Sequence, residues 1–490
     1  MSKRAEKLIL LLYLGGFLAV ACTIALLQPL ADTLPLLINP PDEHARFQVP
    51  WYIYQHGRIP TGFEEELRIP SYGFSYGLYN VFPYIVQGYI MRFAGIFTDS
   101  MLILLYVARF VNVLSGLLMA IVVYLLSKKL FADRRFGWAF CFAVTYLPEN
   151  LFMHTYVNTD SMCLLAVAMM IYGLVCAYRE GFAPANCAWM CGGIILCALS
   201  YYNAYGYILS CILLFLAYYL KKESGKWQYD WKTMCKKGAV ISAVVLVGIS
   251  WWFIRSYILF DGDFLGLATR EKMAIMYASP EVNPANMVTY QSQGISILQM
   301  MRETDFLEGA FYTFIAAFGS MTIVGDIWTY RLYKVFFALG TLGCVVLPLL
   351  RSIPSVRKIA AHTCDSGMKA LDTGCGWTIR NPKEKWKSVF IHGNMIFWMI
   401  MPLILLIRYA YTMDFQNQGR YLLPALIPLM YYMIRGWQNL VSFKGIPRLL
   451  QNSLVAFAIF LPVASTLWMT YHTALPLYLE TGVVLFPRGV

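Results

Sequence analysis

Asn39-Pro40-Pro41-Asp42-Glu43-His44-Ala45-Arg46-Phe47 lies just beyond the first long apolar run of the chain, residues 8–28. Two adjacent carboxylates are thereby held where a membrane-spanning segment would meet water. To either side the sequence is mostly apolar: of 490 residues 59% are hydrophobic and 13% charged. Soluble globular proteins carry about 25% charged residues, so this composition indicates an all-α polytopic membrane protein. Runs long enough to cross a hydrocarbon core of about 30 Å fall near 8–28, 101–126, 136–157, 160–178, 186–203, 205–220, 238–259, 328–350, 388–411, 421–435 and 450–472, about eleven in all. The first has a basic flank, but it is longer than a signal-peptide core and is expected to stay as a span.

The basic residues set the orientation. Lys3, Arg4 and Lys7, then Lys128, Lys129, Arg134 and Arg135, then the lysines from 221 to 237, and then Arg351 to Lys387 fall on alternate connections. By the positive-inside bias these sides are cytoplasmic, with the N-terminus among them. The formal charge of +12 is thus accounted for by topology, and no nucleic-acid surface is implied. The segments 29–100 and 260–305 are then extracytoplasmic and too long for simple connections, whereas 351–387 is a polar cytoplasmic loop. The twelve cysteines show neither metal-ligand nor disulfide spacing.

Asp42 to about Gly57 reads as an amphipathic helix lying in the interface, with Phe47, Trp51 and Tyr54 on one face. Pro50 should kink it or delay its start. Asp42 itself fits two roles, helix N-cap or general base toward a hydroxyl. Glu43 shares either surroundings. His44, His56 and His154 lack zinc spacing. Asn158 and Asp160, in Tyr156-Val157-Asn158-Thr159-Asp160, suit a tight turn and would face the same cavity if the bundle closes that way. Arg255 ends the seventh run, Arg408 lies near the end of the ninth, and Arg420 opens Gly419-Arg420-Tyr421. All three stand on the side where the topological bias disfavours positive charge. The guanidinium fork suits phosphate oxygens, and snorkelling to lipid headgroups is the competing explanation.

PPDEHARF at 40–47 resembles the first-loop acidic motif of the GT-C superfamily of integral membrane glycosyltransferases. More narrowly, the chain resembles a bacterial family of predicted membrane proteins placed near those enzymes. YVNTDSM at 156–162, WWFIRSYILFDGDFLG at 251–266 and QGRYLLP at 418–424 fit it in the same order. The resemblance implies a GT-C bundle with juxtamembrane helices in the first outer loop. It also implies a polyprenyl-phosphate sugar donor entering from the bilayer and a cell-envelope glycan or lipid acceptor. Asp42 would be the base with Glu43 supporting, and Arg420 would meet the donor phosphate, with Arg255 and Arg408 as further phosphate candidates. His44, Asn158, Asp160 and Tyr421 would contact substrate. A divalent cation, Mg2+ or Mn2+, is left open. Ser256, where Asn is usual, and Asp261-Gly262-Asp263 depart from the family pattern.

That chemistry is consistent with the residues. A polyprenyl-phosphate leaving group needs cations more than an acid, so one carboxylate and one or two arginines suffice, whereas a glycosidase wants two opposed carboxyls. A lipid-linked oligosaccharide polymerase or ligase would also use the arginines. A transporter would call for mid-span charges and paired repeats, and a scaffold would tolerate loss of Asp42.

Overall fold

The computed structural model describes residues 2–30, 38–223, 226–346, 349, 386–441 and 446–482. Apart from its last two residues, the cytoplasmic loop expected at 351–387 lies outside them. α1 (Lys3–Leu27) starts where the Ser2 hydroxyl accepts a hydrogen bond from the Ala5 amide at 3.2 Å, and it stops as Gln28 turns extended. After α2 (Glu43–His56) come α3 (Phe82–Ala94), α4 (Met101–Leu130) and α5 (Arg134–Thr145). They are followed by α6 (Pro148–Met153), α7 (Asp160–Glu180), α8 (Pro184–Ser200) and α9 (Tyr205–Tyr218). A short antiparallel hairpin pairs Leu220–Glu223 with Lys226–Tyr229. Then come α10 (Trp231–Leu259), α11 (Leu267–Tyr277), α12 (Ile297–Glu303), α13 (Phe306–Ile315) and α14 (Ile327–Thr341). Beyond the undescribed stretch lie α15 (Lys387–Thr412), a 3-10 segment at Gly419–Ala425, α16 (Leu426–Val441), α17 (Arg448–Leu467) and α18 (Leu475–Thr481).

Among the described residues six helical segments are long and apolar enough to cross a membrane by length and composition: α1, α4, α7, α10, α15 and the run Arg448–Thr481. The other expected spans fall on shorter or broken helices, so a count of eleven is not established. The break in the run 136–157 is plain. Pro148 has no amide hydrogen and would clash with the carbonyl four residues back, so Leu147 goes extended, α5 ends at Thr145 and α6 starts afresh at Pro148. The following residues 154–159 form a fully packed loop in which His154, Thr155 and Asn158 are buried.

α2 also departs from expectation. It runs from Glu43 straight through Pro50, and the rings of Phe47, Trp51 and Tyr54 do stack in sequence. Yet its buried side is wider than that one face: Glu43, Arg46, Val49, Tyr52 and Ile53 are buried too, while His44 and Gln48 are half-buried and Gln55 and His56 exposed. Phe47, Val49 and Ile53 join α3 and α4 in a second apolar cluster, apart from the main core of α1, α4, α5 and α7. α3 comes so close that a Cβ on Gly88 would lie 2.6 Å from the Ile53 Cβ. An amphipathic pattern predicts one buried face, and here the burial extends beyond it because α3 packs on Ile53 as well as Tyr54.

Among the described residues, Lys128 and Arg134 gather around Glu6 near the start of α1. Glu6 meets Lys128 at 3.7 Å and Arg134 at 3.3 Å, and Lys129 pairs with Glu180. In the segment from 57 to 81, the chain at Ser71–Gly73 packs on the end of α11. The Ser279 amide donates to the Ser71 carbonyl at 3.0 Å, and Gly73, at φ 72°, leaves no room for a side chain against Ala278. The two long connections read from the sequence, 29–100 and 260–305, are therefore one packed structure.

Candidate active site

Pro40-Pro41 fixes the approach to α2, and Asp42 occupies the N-cap position with φ 57° and ψ 10°. Asp is among the few residues other than glycine that adopt this left-handed region with ease. Its carboxylate makes no capping hydrogen bond. The helix-cap explanation of Asp42 therefore fails. The carboxylate instead turns to Arg46, one turn on, with Oδ2 3.6 Å from Nη2. Arg46 Nη1 lies 3.2 Å from Asp160 Oδ2, at the first turn of α7. One guanidinium thus bridges two carboxylates that the sequence separates by over a hundred positions, and it sits over the Tyr76 ring at 5.2 Å. The Asp42 side chain is 28% exposed, against 11% for Arg46 and 17% for Asp160.

Burial pushes the Asp42 carboxyl up. The positive charges of Arg46 and Arg420, the Tyr76 hydroxyl and His44 together outweigh it and hold the group below its ordinary value. Arg420 is buried in the 3-10 segment Gly419–Ala425, where Nε donates to Gln418 Oε1 at 3.0 Å and Nη2 to the Tyr421 hydroxyl at 3.1 Å. It forms no ion pair among the described residues. With Asp160 and Tyr201 it lines a small cavity whose apolar wall is Cys163, Leu164, Leu423 and Pro424.

Gly419 places that arginine. Its amide donates to the Thr313 hydroxyl at 2.6 Å, and a Cβ there would run into the Ala310 carbonyl and the Phe314 amide. These are backbone atoms of α13 that cannot rotate aside. Gly419→Ala should push the 419–425 segment off α13 and destabilise the protein by about 1–3 kcal/mol, read as a lowered Tm. An unchanged Tm would show that the segment is free to shift.

Glu43 faces the other way. It is fully buried, and its oxygens accept from Arg109 Nε at 2.9 Å and Nη2 at 2.6 Å and from the Val157 amide at 2.8 Å. Arg109, on α4, also donates to the carbonyls of Ala25 and Gln28 at 2.9 and 3.0 Å, closing off the C-terminal end of α1. Asn158 is spent on its own loop, with Nδ2 donating to the Met153 and Tyr156 carbonyls and Oδ1 accepting from the Ser161 amide.

Asp42, Asp160, Arg420 and Tyr421 are therefore brought together, with His44 close by, and the other proposed residues are not. Arg255 Nη2 donates to the Pro60 carbonyl at 2.6 Å and lies over Trp252; none of its contacts involves the Asp42 group. Arg408 is exposed on α15 and makes no ion pair among the described residues. Three residues that sequence reasoning passed over matter here: Arg46, Arg109 and Tyr76. Arg46 stands four residues after Asp42, a helical pairing distance. Arg109 is a charge inside an apolar run, which flags a function or a buried partner. Tyr76 had no signal beyond a tyrosine-rich stretch. Among the described residues no group of three or more His, Cys, Asp or Glu is placed to hold a metal ion.

A search of curated proteins finds no match. Among solved structures, the chain is similar to the Archaeoglobus fulgidus oligosaccharyltransferase in complex with Zn and sulfate. The identity is 14%, the match covers 96% of this chain and 54% of that one, and the TM-score is 0.49. The apo form of the same enzyme gives 14% identity, 98% and 56% coverage and a TM-score of 0.49. The archaeal oligosaccharyltransferase AglB from that organism, in complex with an inhibitory peptide and a dolichol-phosphate, gives 14%, 97%, 56% and 0.47. The chain spans little more than half the length of those structures, and at this identity its activity has to be argued from its own residues. The family model for "Predicted membrane protein (DUF2142)" matches residues 39–430, from the segment that carries Asp42 through the one that carries Arg420, and the chain belongs to that family.

Proposed function

We propose that this membrane protein is a GT-C-type glycosyltransferase that moves a sugar from a polyprenyl-phosphate donor to a hydroxyl of a cell-envelope glycan or lipid on the extracytoplasmic side. One observation carries the reading. Asp42 stands at a helix start without capping it, its carboxylate partly open, held ionised between two arginines. A structural aspartate would spend that carboxylate on the helix. In the proposed step the acceptor hydroxyl gives its proton to Asp42 as its oxygen bonds to the anomeric carbon. The bond from that carbon to the phosphate oxygen breaks, and polyprenyl phosphate leaves with the electron pair, its charge met by Arg420. Arg420 Nη1, which has no partner among the described residues, is the atom available to it. Arg46 keeps Asp42 ionised and aligned with Asp160, and Glu43 holds the start of α2 in place. Asp42 and Asp160 are the carboxylates that Mg2+ or Mn2+ would use, but Arg46 already spans them, and among the described residues no third His, Cys, Asp or Glu is grouped with them. The proposed step is derived from these residues alone.

The test is transfer by the purified protein in lipid nanodiscs, from a panel of polyprenyl-phosphate sugars to envelope glycan and lipid acceptors. Transfer from at least one donor is expected. Arg420→Lys keeps the charge but loses the fork and should lower kcat/KM for the donor by about ten- to hundredfold with KM for the acceptor unchanged. No transfer by the unmutated protein from any donor would overturn the reading and favour transport or scaffolding.

A further inference from the structure

Two buried arginines beside α2 have carboxylate partners: Arg109 has Glu43, and Arg46 has Asp42 and Asp160. Arg270, on α11, has none. It is largely enclosed, it forms no ion pair among the described residues, and its Nε is buried without any hydrogen-bond partner. The protein offers it only phenols and a ring. Nη1 donates to the Tyr79 hydroxyl at 3.1 Å, and the guanidinium lies 5.5 Å from the centre of Phe74 and 6.0 Å from that of Tyr79. The hydroxyls of Tyr202 and Tyr409 also lie close enough to act on its charge. An orphaned charged donor inside a protein is rare and calls for an explanation, and a planar guanidinium with a free edge matches an oxyanion best.

Aromatic rings link this arginine to the Asp42 group. Tyr79 packs against Tyr76, ring centres 5.7 Å apart, and Tyr76 underlies Arg46. Tyr79 also stacks on Tyr202 at 6.3 Å with the planes 10° apart, and Tyr202 follows Tyr201 of the Arg420 cavity. A run of aromatic rings thus leads from the bridging Arg46 to Arg270. Aromatic faces receive the C–H faces of sugars, and a cation at the end of such a run would read a charge on the sugar or beside it.

We propose that Arg270 and the ring pair Tyr79–Tyr202 form a second subsite, separate from Arg420, which binds an oxyanion carried by a substrate. The sources are the carboxylate of an acidic sugar or a second phosphate. Placing the subsite within a transfer reaction rests on the function proposed above, but the binding itself does not, so the two fail separately. The test is calorimetric titration of the purified protein with sodium glucuronate and, in parallel, with inorganic phosphate, comparing Arg270→Gln, Arg270→Lys, Tyr202→Ala and Arg420→Gln, each checked for an unchanged Tm. Arg270→Gln should weaken one probe by about tenfold or more, Arg270→Lys by less, and Arg420→Gln should leave that same binding event in place. If glucuronate is the probe affected, and Tyr202→Ala weakens it too, the anion is an acidic sugar; if phosphate alone is affected, it is a second phosphate. Equal affinity of Arg270→Gln and the unmutated protein for both probes, or no binding of either by the unmutated protein, would overturn the subsite whether or not transfer is found.

Discussion

Asp42→Asn should reduce sugar transfer by about 10²–10⁴-fold, the range general-base catalysis contributes, while leaving the Tm close to that of the unmutated protein. Asparagine has the same shape and adopts the left-handed backbone of position 42 as readily as aspartate. No cap is lost, because Asp42 makes none. What disappears is the ability to take a proton and one of the two charges on Arg46, which keeps Asp160 at 3.2 Å. The pH profile gives a second reading of the same group. Burial raises the Asp42 carboxyl, but Arg46, Arg420, Tyr76 and His44 bring it below its ordinary value. The base form is therefore present at neutral pH and is lost only as the pH falls through that lowered value. The acid limb of kcat/KM should lie below about 3.9, the usual aspartate pKa. The same sign holds for stability: a lowered carboxyl stabilises the fold above its unfolded pKa and ceases to do so as pH falls through the folded one. Asp42→Asn should flatten the acid side of the Tm profile, modestly, since the side chain is 28% exposed. Undiminished transfer by Asp42→Asn would remove Asp42 from the mechanism.

The sequence alone pointed to Asp42, Asp160 and Arg420 for different reasons, and the fold brings these three to one hollow. Each lies next to a chain-direction change where polar residues are dictated by local rules: a helix start after Pro-Pro, the first turn of α7, and the turn before Pro424. Where local rules and function ask for the same residue, sequence can suggest a position but not a direction. Asn158 has the same credentials as Asp160, two positions away, and points its amide into its own loop. Only the packing of Asn112 beneath that loop, which donates to the Tyr156 and Asn158 carbonyls, decides it. Asp42 and Glu43 present the same problem in adjacent residues. Glu43 is the first residue of the helix and Asp42 the left-handed residue before it, so one faces Arg109 and the core and the other faces Arg46. The apolar run 136–157 hid a break that Pro148 announces, because hydropathy averages over the proline. The spacing of Phe47, Trp51 and Tyr54 in α2 carries no information about α3, which packs on Ile53 and Tyr54.

Glu43→Gln should be the most damaging single substitution for stability, by about 3–5 kcal/mol. The carboxylate is fully buried and forms both arms of a fork with a fully buried arginine. Removing it leaves the Arg109 charge uncompensated where water cannot reach it. The loss is also distributed. Glu43 accepts from Val157, and Arg109 donates to Ala25 and Gln28, so one ion pair ties together the end of α1, the start of α2, the middle of α4 and the 154–159 loop. Arg109→Met should be nearly as harmful, for the mirror-image reason. The double substitution Glu43→Leu with Arg109→Met separates two roles. Replacing a whole buried pair by apolar groups of similar volume is often neutral for stability, so the double variant should be more stable than either single one, a positive coupling in the mutant cycle. Its transfer rate should not recover in step, because the pair also fixes the backbone at the start of α2, one residue from the Asp42 carboxylate. A kcat that falls while donor KM holds would mark Glu43 as a positioning residue. Full recovery of kcat in the double variant would mean that Asp42 is aligned by Arg46 alone, and a Glu43→Gln protein as stable as the unmutated one would mean that the buried pair holds nothing together.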